Sequence, residues 1–358
     1  MLTKEISPVD GIEAYAAYTC VRIGTDVFFY RSLDGALCKY DILDNKIHIL
    51  FPWAKGVRYS NEPVEWIGNE GKILISISGD GDKVITHDGT RENTFLFNNG
   101  SKGWGNHVYI ELKEKKIIAI SRKKSELITM SIGTDHAEEV KRLPMKFEVK
   151  HMLWDACKIE NIVWIVERNI AFLLWINLET GEFGKENIGQ TINNVICAEP
   201  QNHSIIIMTE EGSLYEYDTI DKAVKTIVTS EKNYGMGKLL LGENYFLELP
   251  ASGKNIIRIS KDNGDVWLVD NYADNFLYRN STTEYKFTAF FEYLGKLYCL
   301  PRMANYILSF DGRKGDINWI KPQLPDEKEK QEYLRKMRVS DSQEIKMSLE
   351  DYLAMLSC

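Results

Sequence analysis

One unit of chain recurs along this sequence, and that recurrence limits the fold more than any other feature. Its clearest copy is residues 202–228, NHSIIIMTEEGSLYEYDTIDKAVKTIV. Ser204 to Met208 is a short apolar run, and Glu210-Glu211-Gly212 breaks it. Leu214 to Asp218 then alternates bulky with polar side chains, as a half-buried strand does. Ile220-Asp221-Lys222 turns the chain into a further strand, Ala223 to Val228. Alone, such a unit buries too little apolar surface to stand, and the chain answers by repeating it.

The first copy reads as four strands joined by tight turns: Ala14 to Ile23, Val27 to Tyr30, Ala36 to Ile42 and Lys46 to Phe51. Strands answering Val27–Tyr30 follow at Ile73–Ile77, Ile117–Ser121, Ile162–Val166, Ser204–Met208, Tyr245–Leu249 and Lys296–Leu300. Each leads through a polar turn into a third strand, ending at Asp41, Asp88, Ser131, Asn177, Asp218, Ser260 and Asp311 in successive copies. These end points are 47, 43, 46, 41, 42 and 51 residues apart. Four strands per roughly 40–50 residues is the period of propeller blades. The turns Asp88-Gly89, Thr180-Gly181, Asn263-Gly264 and Asp311-Gly312 are expected to supply the positive φ that tight hairpins need.

The chain from about Ala14 to Lys321 thus resembles a seven-bladed β-propeller, through Leu-Cys-Lys-Tyr-Asp at 37–41, Leu-Tyr-Glu-Tyr-Asp at 214–218 and Trp-Ile-Asn-Leu-Glu-Thr-Gly at 175–181. The resemblance is architectural. A kelch repeat carries a Gly-Gly pair after its second strand, where this chain has Arg31-Ser32 and Ser78-Gly79. A WD repeat closes its blades with Trp-Asp, and here Trp154-Asp155 falls in a first strand. No functional residue carries over from either family. The expected fold class is all-β: a seven-bladed propeller of four-stranded antiparallel blades over residues 1–322, with a charged linker and short helical tail at 323–358.

With 44% hydrophobic and 11% aromatic residues the chain can bury a sizeable core. A net charge of -8 repels phosphate backbones and argues against nucleic acid as the main partner. Lys113 to Lys116 with Arg122-Lys123-Lys124 is the one basic patch, and it reads as solvated turns. Cys20, Cys38, Cys157, Cys197, Cys299 and Cys358 are too scattered for a disulfide framework, and no two have metal-ligand spacing. No metal or other cofactor is expected, and no run reaches membrane-spanning length. Reduced thiols, with no export signal in MLTKEISPVDG, point to the cytoplasm unless a leader has been removed.

In a propeller the segments leading into first strands share one face with the turns between second and third strands. Those segments are Arg58 to Glu62, Lys102 to His107, Lys150-His151 with Trp154-Asp155, Gln190 with Asn193-Asn194, Lys232 to Met236, and Arg279-Asn280 with Tyr285-Lys286. Tyr59, Trp104, Asn106, Trp154, Asn193, Asn194, Tyr234 and Tyr285 are the candidate ligand contacts. Rings stack on apolar faces while amides satisfy hydroxyl or backbone groups, so the pattern suits a protein, peptide or glycan. The same residues have a structural reading, in which Trp104 and Trp154 wedge neighbouring blades and the asparagines form turns.

The function read from this pattern is non-catalytic binding or scaffolding on the channel face. The alternative is an enzyme, a lyase or a sugar-acting hydrolase. His107 or His151 would then be the base, with Glu62 or Asp155 as its partner. Ser78-Gly79-Asp80-Gly81-Asp82 lacks the spaced acidic ligands of a calcium loop and reads as a hairpin turn. After Pro322, the stretch from Pro325 to Arg338 reads as an exposed helix. Leu349, Tyr352, Leu353 and Leu356 form one face of a second short helix, expected to dock on the propeller itself or on a partner. None of this tail is expected to be needed to complete the seventh sheet.

Overall fold

Ser204–Thr209 is buried at every position, which a strand achieves only when both faces of its sheet are covered. Tyr245–Pro250 is buried except at Tyr245, and Ile162–Glu167 except at its two ends. The last strand of a repeat behaves differently: Ala223–Val228 and Val266–Val269 are half-buried or exposed throughout. Blades five and six therefore have a protected inside and a wet outside. These positions come from a computed structural model. It describes residues 17–31, 36–51, 64–78, 83–87, 92–96, 107–122, 126–132, 137–145, 153–230, 235–250, 255–269, 272–274, 276, 287–302, 304–326 and 328–329.

The strands fall into seven four-stranded antiparallel sheets, each built from four consecutive strands. Blade one is β1 (Ala17–Ile23), β2 (Asp26–Arg31), β3 (Leu37–Asp41) and β4 (Lys46–Phe51). Blade two is β5 (Val64–Glu70), β6 (Ile73–Ser78), β7 (Lys83–His87) and β8 (Glu92–Leu96). Blade three is β9 (His107–Lys113), β10 (Lys116–Ser121), β11 (Glu126–Ile132) and β12 (Ala137–Pro144). Blade four is β13 (Leu153–Ile159), β14 (Ile162–Glu167), β15 (Ile170–Asn177) and β16 (Phe183–Ile192). Blade five is β17 (Val195–Gln201), β18 (Ser204–Thr209), β19 (Leu214–Asp218) and β20 (Ala223–Val228). Blade six is β21 (Met236–Leu241), β22 (Tyr245–Pro250), β23 (Ile256–Ser260) and β24 (Val266–Val269). Blade seven is β25 (Phe287–Tyr293), β26 (Lys296–Pro301), β27 (Ile307–Asp311) and β28 (Asp316–Ile320). The chain is a seven-bladed β-propeller, as its repeat predicts.

Several of the repeat's end points are turn-makers. Asp41 Oδ1 accepts the backbone N–H of Leu43 and Asp44, Asn177 Oδ1 those of Glu179 and Thr180, and Asp218 Oδ1 those of Ile220 and Asp221. A short acidic or amide side chain there folds the hairpin between third and fourth strands. Gly181 and Gly264 take the expected positive φ, at 74° and 73°. Gly312 does not; Gly315 carries it, at 76°. Gly312 is required for another reason, since a Cβ there would strike the Cα of Gly242. Asp88-Gly89 lies outside the described residues.

Every first strand has a register shift near its start: after Ala17, Val64, His107, Leu153, Val195, Met236 and Phe287. Such a bulge re-aims the extra residue's side chain. At two of them the re-aimed group crosses to the next blade. Trp154 Nε1 donates to Ile196 O at 3.0 Å, and Thr288 Oγ1 donates to Ala17 O at 2.6 Å.

Contacts divide the chain into two compact units: Met1–Trp104 with Asn271–Asp311 and Asp316–Cys358, and Gly105–Asp270 with Gly312–Gly315. In the first unit, Val27, Phe29, Cys38 and Tyr40 of blade one share a core with Ala289, Phe291, Leu300 and Ile307 of blade seven. No strand is exchanged between these two blades. Instead the chain leaving β28 returns along β4: Ile47 N donates to Gln323 O (2.9 Å) and Gln323 N to Asn45 O (2.7 Å). Asp326 and Glu329 then cap each other's backbone N–H, at 2.9 and 3.2 Å. This is the first turn of the helix expected from Pro325. Its remainder, and Leu349, Tyr352, Leu353 and Leu356, lie outside the described residues. In the second unit, the blade four–five interface is filled by Val166, Leu173, Ile205, Ile207 and Tyr217, and the five–six interface by Met208, Leu214, Phe246 and Ile259.

Candidate functional site

The first strands of blades three to six stand side by side in the second unit, and their side chains form a stitched wall. Glu111 on β9 takes the Tyr109 hydroxyl on Oε2 (2.9 Å) and pairs through Oε1 with Lys158 on β13. Burial pushes the Tyr109 phenol up, and Glu111 reinforces the shift. Asp155 on β13 accepts the backbone N–H of Ala198 on β17 at 3.0 Å. Glu199 on β17 pairs with Lys238 on β21. Neighbouring blades are thus joined in sequence: three to four, four to five, five to six.

Glu199 and Lys238 keep 24% and 31% of their side-chain exposure, so water reaches this pair. Burial pushes the Glu199 carboxyl up, with the Lys238 charge opposing. Burial also pulls Lys238 towards the neutral amine, and Glu199 and Asp155 more than restore its ammonium form. Behind them, burial holds the Cys157 and Cys197 thiols well above the ordinary thiol range.

At the end of this wall where first strands begin, two arginines clamp the turns. Arg122 Nη1 donates to Trp154 O (2.7 Å) and Leu153 O (3.3 Å), tying blade three to the start of β13. Arg168 pairs with Glu210 at 2.5 Å and lies over the Trp154 ring, 5.2 Å from its centroid. The Glu210 carbonyl in turn accepts Met236 N at 2.9 Å. Asn194 has φ 54°, donates its backbone N–H to Asn169 Oδ1 (3.1 Å) and its side-chain Nδ2 to Glu211 Oε1 (2.6 Å).

Of the residues expected at the site, the structure therefore brings Trp154, Asp155, Asn193 and Asn194 to one stretch of rim on blades four and five. Trp154, Asp155 and Asn194 are occupied there by neighbouring backbone and side chains, while Asn193 is exposed. His107 opens β9 and is buried, at 4% exposure. Tyr59, Glu62, Trp104, Asn106, His151, Tyr234 and Tyr285 lie outside the described residues. Among the described residues no three His, Cys, Asp or Glu side chains gather as metal ligands, and no helix is long and apolar enough to cross a membrane.

The arginines escape a reading based on aromatic and amide content. Their signal is positional: Arg122, Arg168 and Arg302 each follow the last residue of a second strand. Arg302, at that position in blade seven, is 2% exposed.

The class is a β-propeller, with the first strands of blades three to six cross-linked by polar groups. No protein-family model matches the chain, and no curated protein matches its sequence. Solved structures do match, at 10–12% identity, which shows the fold alone. The chain is similar to PorZ, a surface component of the type-IX secretion system of Porphyromonas gingivalis, with TM-score 0.55 over 87% of this chain and 38% of that one. It is also similar to the extracellular domain of a hybrid two-component system of B. thetaiotaomicron, at TM-score 0.58, covering 83% and 39% of the two chains at 12% identity. A third is virginiamycin B lyase from Staphylococcus aureus in a catalytically inactive form with quinupristin, at TM-score 0.52, covering 71% and 83%. The chain spans about two-fifths of the length of the first two.

Proposed function

We propose that the chain is a non-catalytic binding or scaffolding propeller, gripping a protein, peptide or glycan on the face where its first strands begin. The observation that carries this reading is how the rim's charges are spent. Asp155 serves Ala198, Arg122 serves two carbonyls of blade four, and Arg168 serves Glu210. A rim locked this way is pre-organised, and little entropy is lost when it binds. Tyr59, Trp104, Asn106, Asn193, Tyr234 and Tyr285 are the proposed gripping side chains. The chain would act in the cytoplasm.

An enzyme ranks second. It needs a base and an acid free to move protons, and Asp155 is already accepting a structural N–H while His107 is buried. The test is to probe labelled protein on peptide and glycan arrays and to confirm hits by calorimetry. Trp104→Ala and Tyr234→Ala are expected to weaken a true ligand at least about tenfold, or about 1.4 kcal/mol. A hit that the protein converts to product, with conversion lost in Asp155→Asn, would replace this reading by the enzyme.

A further inference from the structure

An outer strand is an exposed sheet edge, and proteins usually blunt such edges with charge. Five outer strands here follow that rule: β4 carries Lys46, β12 Lys141, β16 Lys185, β20 Lys225 and β28 Asp316. On blade six the strand is Val-Trp-Leu-Val, with Val266, Trp267 and Leu268 exposed by 46, 38 and 55%. It has no charged residue at all.

Its backbone is also open. Ser260 N donates to Asp265 O at 2.9 Å. The alternation of an antiparallel ladder then turns Trp267 and Val269 towards β23, and points the N–H and C=O of Val266 and Leu268 away from it. The strand is held firmly enough to serve as a template. Trp267 lies over Arg258 (4.9 Å) and beside Tyr245, and Arg258 is fixed by its bond to Gly315 O at 2.9 Å.

Blade one shows what such an edge accepts in this molecule. The outward groups of Asn45 and Ile47 are taken by Gln323 in a parallel bridge, and Leu324 packs on the blade's core. The edge of blade one is filled from within the chain; that of blade six has no such segment among the described residues.

We propose that β24 is a strand-addition site for an extended peptide with an apolar centre and basic ends. The charges select that occupant. Asp262 and Asp265 stand exposed at one end of the strand, Asp270 follows the other in sequence, and the chain carries net charge -8. Lysine or arginine at the peptide end beside Asp262 and Asp265 would meet their exposed carboxylates. The site is on the outside of blade six, away from the first-strand rim, and stands or falls independently of it.

The test uses the full chain and two synthetic peptides, acetyl-KVTVTVK-amide and acetyl-EVTVTVE-amide, titrated calorimetrically. The basic peptide is expected to bind and the acidic one to bind at least about tenfold more weakly. Leu268→Pro deletes an outward N–H while leaving the β23 ladder intact, and Leu268→Lys places a repelling charge on the edge. Both are expected to weaken the basic peptide at least about tenfold, with circular dichroism confirming that each variant is folded. The proposal is overturned if the basic peptide fails to bind, if the two peptides bind equally, or if binding survives Leu268→Lys. A dimer of the wild type that Leu268→Lys dissociates would make a second copy the occupant and overturn it as well.

Discussion

Glu248 lies on β22 with Leu239 and Ile257 as its cross-strand partners, on the face that Phe246 presents to the blade five–six core. It is fully buried, and neither carboxyl oxygen meets a hydrogen-bonding group among the described residues. Burial alone pushes its pKa up to about 8, so the folded protein holds it as a neutral acid at pH 7. The sign of the linkage follows. The folded state binds this proton more tightly than the unfolded state, so its stabilising share is full below the ordinary carboxylate pKa. That share is lost as pH rises through about 8. Glu248→Met removes both the proton and the orphaned oxygens while keeping the volume. Urea unfolding should show the variant more stable by on the order of 1–3 kcal/mol at pH 6 and by more at pH 9. An unchanged pH profile would mean that the carboxyl finds a partner. No sequence rule flags Glu248 as buried, because in Tyr-Phe-Leu-Glu-Leu-Pro it reads as an ordinary alternation break. Tyr40, Tyr217 and Phe310 each stand one residue before the end of a third strand, and all three are buried.

At the scale of elements, strand content and order could be read from the sequence because each repeat marks its own ends. An apolar second strand and an Asp or Asn closing the third are local signals with local causes. The bulges in the first strands could not be read, since a register shift exists only between two paired strands. The return of residues 321–326 to β4 is equally invisible, because it joins positions that are 276 residues apart in the Asn45–Lys321 contact. That segment completes no blade, and its worth lies in holding blade seven to blade one. Pro322 and Pro325 are buried, Leu324 packs on the shared core, and Gln323 makes two backbone bonds. A chain ending at Ile320 should therefore be less stable than one ending at Lys330, by about 2–4 kcal/mol. The difference should be largest near neutral pH. Asp326 is held below its ordinary range by backbone N–H groups. Burial raises Glu329, but bonds from His48 and Lys46 outweigh it and leave it lowered. Groups lowered in the fold contribute above the ordinary carboxylate range and lose that share as pH falls through the folded pKa. Thermal melts of both truncations at pH 7 and pH 3 measure it; equal melting temperatures at pH 7 would make the return segment ornamental.

The whole molecule can be followed through its thiols, which are spread over blades one, four, five and seven. Cys38, Cys157, Cys197 and Cys299 are buried and Cys20 is half-buried; each of the five is a thiol rather than half of a disulfide. Burial raises Cys20 to about 12 and holds Cys157 and Cys197 well above the ordinary range. The thiolate is the reacting species, so a group with a pKa near 12 offers only on the order of one part in ten thousand at pH 8. Labelling of Cys20 is slowed for that reason, and labelling of the four buried thiols has to wait for the protein to open. With a thiol reagent at pH 8, the native chain should react chiefly at Cys358, which lies outside the described residues, and the denatured chain at all six cysteines. The chain ending at Ile320 sharpens the test, because Cys38 belongs to the core shared by blades one and seven and Cys20 donates to Phe290 O across the same seam at 3.4 Å. Removing the return segment should speed labelling of Cys20 and Cys38 severalfold. Cys157 and Cys197, on first strands stitched by Asp155 and Glu199, should keep their slow rates. Peptide mapping after timed labelling separates the two groups. Equal acceleration at all four would show that the blades open together rather than seam by seam, and rapid labelling of the native full-length chain would show that these thiols are not sealed by the packing of the blades.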